Sequence, residues 1–286
     1  MSRIAYVNGR YCQHREAAVH IEDRGFQLSD SVYEVWGVRP EGILDEALHF
    51  DRLLRSLNEL RIKTPCSVAA MKMILREVLR RNRISHGRLY LQITRGVAPR
   101  DHAFPAHPVR PTLVVTAARA NVEKLRQMAK KGVAVITLPD QRWGRCDIKS
   151  TALLANVLAK QTARDQGAYE AWLVDGDGFV TEGASTNAWI LDKNNVLRTR
   201  SVSTAILGGI TRKVLLAAAA AEGIEVSERA FTREEAFDAR EAFISASSAI
   251  LIPVVSIDSR PIGTGMPGPM SEKLRNAYKN QSIIAI

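Results

Sequence analysis

The chain has 286 residues, 46% of them hydrophobic and 24% charged, with a formal net charge of +10. That hydrophobic share fills real cores and excludes a disordered chain, and the length suits two modest domains or one large one. The positive balance raises nucleic-acid binding as a class. Against that class, the basic residues are scattered through amphipathic segments (Arg76, Arg80, Arg81, Lys130, Lys131), with no zinc-finger spacing, RNA-binding aromatic strand or basic tail.

Residues 4–7 read as a strand closed by the Asn8-Gly9 turn, and Asp23-Arg24-Gly25 marks a second turn. A strand over 32–38 puts Tyr33 and Val35 on one face and Val32, Glu34 and Trp36 on the other. It ends near Pro40-Glu41-Gly42. Over 46–61, apolar residues at 50, 53, 54, 57 and 60 make a helical stripe. His49 and Arg52, three apart, lie on adjacent parts of its surface. A second amphipathic helix over 68–81 leads to a strand over 88–95, where Leu89, Leu91 and Ile93 alternate with Tyr90, Gln92 and Thr94. The glycine and prolines of 96–105 predict a loop, which carries Arg100 and His102. A strand over 111–117 follows, and 118–122, not especially loop-like in composition, is a candidate link between domains 1–119 and 120–286, a division that rests more on the resemblance given below.

The second half opens with a strand over 133–138, then Lys149, then a helix expected over 152–163 with Leu153, Leu154, Val157 and Leu158 on its apolar side. Strands over 170–174 and 179–182 are joined by the turn Asp175-Gly176-Asp177-Gly178, and 187–191 makes another. Leu207-Gly208-Gly209-Ile210-Thr211-Arg212 opens a helix that the alanines of 217–221 continue. Two glycines and an expected N-cap at Thr211 leave backbone N–H groups facing outward, an arrangement that binds phosphate. Thr232 with Glu235 forms a capping box. Strands over 243–245 and 250–257 and a helix over 271–279 complete the chain.

Taken singly, most of these polar residues have an ordinary reading. Tyr33 is core packing, Arg52 a solvated helix arginine, Arg100 and His102 are surface charges, and the glycine turn is a capped helix. Lys149, between Ile148 and an expected helix start, reads on these residues alone as a helix-start lysine pointing to water, but its place is unusual. Desolvation in such a setting favours the neutral amine, which is a nucleophile able to form a Schiff base with an aldehyde. Other chemistries fail on spacing. The stretch 144–150 lacks the glycine a P-loop places before its lysine. No G-x-S-x-G elbow or H-E-x-x-H pair occurs, and His14, His20, His86 and His107 read as surface or core residues. Three cysteines (Cys12, Cys66, Cys146) without metal spacing fit a reducing cytoplasm. No secretory apolar run follows Met1, and the longest apolar run, 214–221, is too short to span a bilayer. These features predict a cytoplasmic protein with no metal, nucleic-acid or membrane partner.

The motif Arg145-Cys146-Asp147-Ile148-Lys149-Ser150, answered by Thr181-Glu182-Gly183-Ala184-Ser185-Thr186-Asn187, resembles the fold type IV family of pyridoxal phosphate enzymes. The likeness runs from Glu22-Asp23-Arg24-Gly25 to Ile252-Pro253 and is nearest to the D-amino acid aminotransferases. It implies an α/β (α+β) fold of two α/β domains with the cofactor at their junction, and a homodimer. It further implies that Lys149 carries pyridoxal 5′-phosphate and that Glu182 partners the pyridine nitrogen. Arg52, Ile210, Thr211 and Ser247 are implied around the phosphate, with Leu207 against the ring. Tyr33, Arg100 and His102 are implied to hold the substrate α-carboxylate, the R-x-H loop reaching into the neighbouring subunit's site. Ala184 and Ala246 stand where the family often has polar residues. The implied reaction moves an amino group between a D-amino acid of the D-alanine or D-glutamate type and a 2-oxo acid such as 2-oxoglutarate. Branched-chain L-amino acid aminotransferase, (R)-amine transaminase and aminodeoxychorismate lyase are the alternatives. All are expected to share Lys149, Glu182 and the phosphate turn, and to differ at Tyr33, Arg100 and His102.

Overall fold

The computed structural model describes residues 3–282 and 284–285. The chain forms two compact units: residues up to Ala120 with Ile148–Ala152 and the strand Ile284–Ala285, and Asn121–Asp147 with Leu153–Ser282.

In the first unit the strands are β1 (Ile4–Val7), β2 (Arg10–Gln13), β3 (Ser31–Arg39), β4 (Gly42–Leu44), β5 (Gly87–Thr94) and β6 (Thr112–Arg119). With the C-terminal strand they make an antiparallel sheet of order C-terminal strand–β4–β3–β5–β6–β1–β2. The helices are α1 (Arg24–Leu28), α2 (Glu46–Glu59) and α3 (Val68–Asn82). Alternation decides which side of each strand is buried. Val32, Trp36, Leu89, Leu91 and Ile93 face Phe50, Leu53 and Leu57 of α2 and Met71 and Leu75 of α3 in one core. Each such side chain contributes about 1.5–3 kcal/mol on burial. The opposite face carries Tyr33, Val35, Tyr90 and Gln92, all half-buried.

The second unit contains α4 (Val122–Lys131), β7 (Val133–Pro139), α5 (Leu154–Asp165), β8 (Glu170–Val174), β9 (Val180–Gly183), β10 (Asn187–Leu191) and β11 (Leu197–Arg198). It continues through α6 (Ile210–Ala221), β12 (Val226–Ser227), α7 (Arg233–Phe237), β13 (Glu241–Ala246), β14 (Ile250–Ile257), β15 (Arg260–Pro261) and α8 (Pro269–Gln281). The sheet order is β12–β11–β10–β13–β14–β7–β8–β9, with β15 beside β14 and β7 parallel to both β14 and β8. Trp172, Phe231, Ile190, Ile244 and Ile252 fill its core.

Three local expectations need adjustment. The helix expected from 152 begins at Leu154, so Lys149 is not at a helix start. The N-cap of α6 is Gly209 rather than Thr211, and no side chain caps it. The link is shorter than 118–122, because β6 runs to Arg119 and α4 begins at Val122. The Thr232–Glu235 capping box is present in full. Among the described residues no helix is long and apolar enough to cross a membrane.

Candidate active site

Lys149 owes its position to strand pairing. Tyr33 N–H donates to Lys149 O at 3.0 Å, Thr151 N–H donates to Ser31 O at 3.2 Å, and Val32 bridges Ser150 in antiparallel fashion. The segment 149–151 therefore runs as an extra edge along the start of β3. Ile148, 4% exposed, plugs into the core of the first unit and fixes where that edge begins. The Lys149 N–H donates to Ser56 Oγ at 3.3 Å. Its Nζ lies 4.3 Å from the centroid of the Tyr33 ring, which stacks on Tyr90 at 5.6 Å. Burial, with the neighbouring Tyr33, pushes the Tyr90 phenol up to about 12. It therefore stays protonated and donates to Gln92 Oε1 at 2.8 Å.

Glu34 leaves β3 on the face opposite Tyr33 and is fully buried. Arg52 on α2 meets it with two charged hydrogen bonds, Nε to Oε1 at 2.7 Å and Nη2 to Oε2 at 2.8 Å. His49 Nδ1 lies 2.7 Å from Oε2. Burial would raise the Glu34 carboxyl, but the Arg52 guanidinium and the His49 contact outweigh it and hold the group well below the usual carboxylate range. His49 moves the other way. Burial pushes it down, against the pull of Glu34, so the imidazole is neutral and its Nδ1–H donates to the carboxylate. Such paired forks fix an arginine in one orientation.

Arg100 and His102 are exposed in the loop after β5. Among the described residues neither is hydrogen-bonded to Tyr33 or Lys149 of the same chain.

In the second unit, Glu182 at the end of β9 is buried and engaged through both oxygens. Oε2 accepts from Asn187 Nδ2 at 2.9 Å, and Oε1 accepts from the Leu207 N–H at 3.1 Å and from Arg142 Nη1. Arg142 also grips Asp140 with Nε at 3.0 Å and Nη2 at 2.8 Å, and donates from Nη2 to Ala205 O at 3.0 Å. Burial disfavours charge on Arg142 and Asp140 alike. The contacts between them prevail, raising the guanidinium and lowering the Asp140 carboxyl from their ordinary values. Asn187 Nδ2 donates to Leu207 O at 3.0 Å. The glutamate, Leu207 and the turn before α6 are thus one hydrogen-bonded array. Ile210 and Thr211 are buried in the first turn of α6, and Ser247 is half-buried in the turn after β13.

Sequence reasoning passed over Glu34, Asp140 and Arg142 as working groups. Glu34 carried a signal, a carboxylate alternating with Val32 and Trp36 on what has to be the core face. Asp140 and Arg142 sit in irregular chain and carried none.

These residues fit a pyridoxal phosphate. No side chain caps α6, so the leading N–H groups of that helix stay available to a phosphate. A Cβ on Gly209 would lie 2.0 Å from Asn187 Oδ1, so only glycine allows the turn to close this tightly on the Glu182 array. The charge-paired carboxylate suits a protonated ring nitrogen, and the lysine suits an aldehyde.

Comparison with known proteins points the same way. The family described as Amino-transferase class IV matches residues 31–257. D-alanine aminotransferase of Bacillus licheniformis is 44% identical over 279 residues, 96% of each chain. D-alanine aminotransferase of Listeria monocytogenes serotype 4b is 39% identical over 281 residues, 98% of this chain and 96% of its own. Among solved structures, the branched-chain amino acid aminotransferase of Escherichia coli superposes with a TM-score of 0.89 at 23% identity, over 98% of this chain and 94% of its own, a likeness of fold. A T.th. branched-chain amino acid aminotransferase with pyridoxamine 5′-phosphate gives a TM-score of 0.86 at 26% identity, over 98% and 94%.

Proposed function

The chain belongs to the class IV aminotransferases, and from that membership we propose that it is a D-amino acid aminotransferase that works with pyridoxal phosphate. The observation that carries this is Lys149, locked to the edge of β3 with its Nζ over Tyr33, in a chain 44% identical over its length to a D-alanine aminotransferase. The cofactor supplies an aldehyde carbon that takes up the amino group and a ring that draws off the electron pair left at the substrate Cα. Lys149 Nζ holds that aldehyde carbon. With its amine free, the same nitrogen would take the proton from the substrate Cα. Glu182 holds the proton on the ring nitrogen. Arg52, Ile210, Thr211 and Ser247 hold the phosphate, and Leu207 orients the ring.

Tyr33, Arg100 and His102 bind the substrate α-carboxylate. Two features support a homodimer with shared sites as the working unit. Leu154, Val157 and Leu158 stand exposed at i, i+3 and i+4 on α5, an apolar stripe that a second copy would cover. Arg100 and His102 are exposed and unbonded to the lysine of their own chain, as residues serving a partner's site would be. A cytoplasmic setting suits three free thiols.

The decisive experiment offers D-alanine and L-alanine separately with 2-oxoglutarate and measures pyruvate. Turnover of the D form alone is expected. Equal or faster turnover of L-alanine would overturn the assignment in favour of an L-amino acid aminotransferase such as the branched-chain reading.

A further inference from the structure

We propose that Phe104, gripped between the guanidinium groups of Arg95 and Arg61, is a positioning residue that fixes the loop carrying Arg100 and His102. The proposal rests on the reading of those two side chains as the carboxylate trap.

The loop is closed at its base. Gly96 has φ of +110°, and a Cβ there would lie 2.1 Å from Arg110 O, so the two ends of the loop pass in direct contact. Above the base most of the loop is exposed, with no core of its own to order it. Holding Arg100 and His102 in one place therefore has to offset the conformational entropy of an open loop.

Two contacts supply the hold. Arg24 Nη1 donates to Asp101 O at 2.6 Å, between the two trap residues. Two residues after His102, the Phe104 ring centroid lies 3.7 Å from Arg95 Cζ and 4.8 Å from Arg61 Cζ. Asp101 Oδ1 also accepts the Ala103 N–H at 3.1 Å, closing the short turn between these anchors.

A single carboxylate, its side chain only 10% exposed, aims two of these arginines. Asp30 accepts from Arg24 Nε at 2.8 Å and from Arg95 Nε and Nη2 at 2.7 and 3.0 Å. Arg95 is further fixed by donating to Leu60 O at 2.7 Å and Arg61 O at 3.1 Å. Arg24 is 2% and Arg95 8% exposed, so Arg95 meets the ring largely out of water, where cation–π attraction is stronger. Phe104 itself is 46% exposed. An aromatic ring half in solvent on a loop is not a core residue, and this one lies against two guanidinium groups. Because it is half exposed, replacing it leaves the fold of the unit intact.

The test compares holoenzymes of wild type, Phe104→Ala, Phe104→Tyr and Arg100→Ala. Phe104→Ala is expected to raise KM for D-alanine about tenfold, with kcat within about twofold. An (R)-amine lacking a carboxylate should be turned over as by wild type. Hydrogen exchange of the amides over 97–104 should quicken in Phe104→Ala and return to the wild-type rate in Phe104→Tyr, together with KM. If Arg100→Ala raises KM while Phe104→Ala changes neither KM nor exchange, the clamp is refuted and the trap stands. The clamp is equally refuted if Phe104→Ala impairs both kinds of substrate alike. If Arg100→Ala itself leaves KM unchanged, the trap reading fails and the clamp falls with it.

Discussion

Glu34–Arg52–His49 in the first unit and Asp140–Arg142–Glu182 in the second are built from the same kinds of group in opposite proportion. In the first, one carboxylate receives one guanidinium and a neutral imidazole, so the charges balance. Both carboxylate oxygens are spent on the task, and what the cluster presents is an arginine held in one orientation. In the second, one guanidinium is divided between two carboxylates. A negative charge is left over, and the cluster presents a glutamate. Buried ion pairs add little stability of their own, because desolvation offsets most of their attraction. Their use here lies in orientation in the first cluster and in the residual negative charge of the second. The first holds a guanidinium in one fixed direction, and the second suits a cation such as a protonated ring nitrogen.

Lys149 sets the scale against which either cluster is judged. Lys149→Ala should abolish measurable turnover, since proton transfer alone accounts for about 10²–10⁴-fold and the loss of attachment adds to it. The same variant should bind the cofactor only reversibly, read as release on dialysis. Retention of near wild-type turnover without added amine would remove the lysine from the mechanism.

The comparison between clusters is sharpened by exchanging a carboxylate for an amide in each. Glu182→Gln should lower turnover by about 10²–10³-fold while the cofactor remains bound, because a fixed charge facing the ring nitrogen is lost. Glu34→Gln should do the reverse. Arg52 loses its charged partner, so affinity for the cofactor falls about tenfold to a hundredfold, and turnover at saturating cofactor stays within a few-fold. Cofactor titration and turnover, measured on both variants, give a crossed pattern if the clusters do different work. Equal losses in both columns would mean that the two are alike.

The parts of this arrangement that were legible in the sequence are those set by local pattern. Period-two alternation gave the faces of β3 and β5, with Glu34 among apolar neighbours, whereas the strand pairing that sets Tyr33 beside Tyr90 did not follow from it. The i, i+3 spacing placed His49 with Arg52. The glycine pair before Ile210 announced a helix start with free N–H groups, although the cap expected at Thr211 is absent and the N-cap is Gly209. What stayed hidden depends on distant chain. Nothing local to Ile148-Lys149-Ser150 shows that it pairs with β3, more than a hundred residues earlier. Local apolar spacing instead suggested a helix starting two residues too soon. Arg142 was unreadable for the same reason, since its meaning comes from Glu182 and Asp140 meeting in space. The RCDIKS and TEG motifs marked Lys149 and Glu182 through resemblance, and the geometry adds how each is held.

The smallest expected effect is one of pH, and it separates the clusters by their response to acid. In an unfolded chain an imidazole takes up its proton near pH ~6.5. In the folded chain burial pushes His49 lower against the pull of Glu34, with the Arg52 and Lys149 charges adding to the burial. As the pH falls through that window the unfolded state binds the proton and the folded state does not. Stability therefore drops with pH, by up to about 1.4 kcal/mol per unit, until the folded-state value is reached. Glu34 and Asp140 behave otherwise. Their folded values are depressed, so their contribution is complete above the ordinary carboxylate range of about 4 and is lost only below it. Below about pH 6.5 and above the ordinary carboxylate range, then, the first cluster weakens and the second does not. Urea unfolding of wild type and His49→Gln at about pH 7.5, 6 and 5 would read this, since glutamine still offers Glu34 an N–H but carries no titration. Wild type should lose more stability than the variant as the pH falls below about 6.5. Parallel curves would mean that His49 binds its proton equally in both states, and the acid-sensitive member of the first cluster would have to be sought elsewhere.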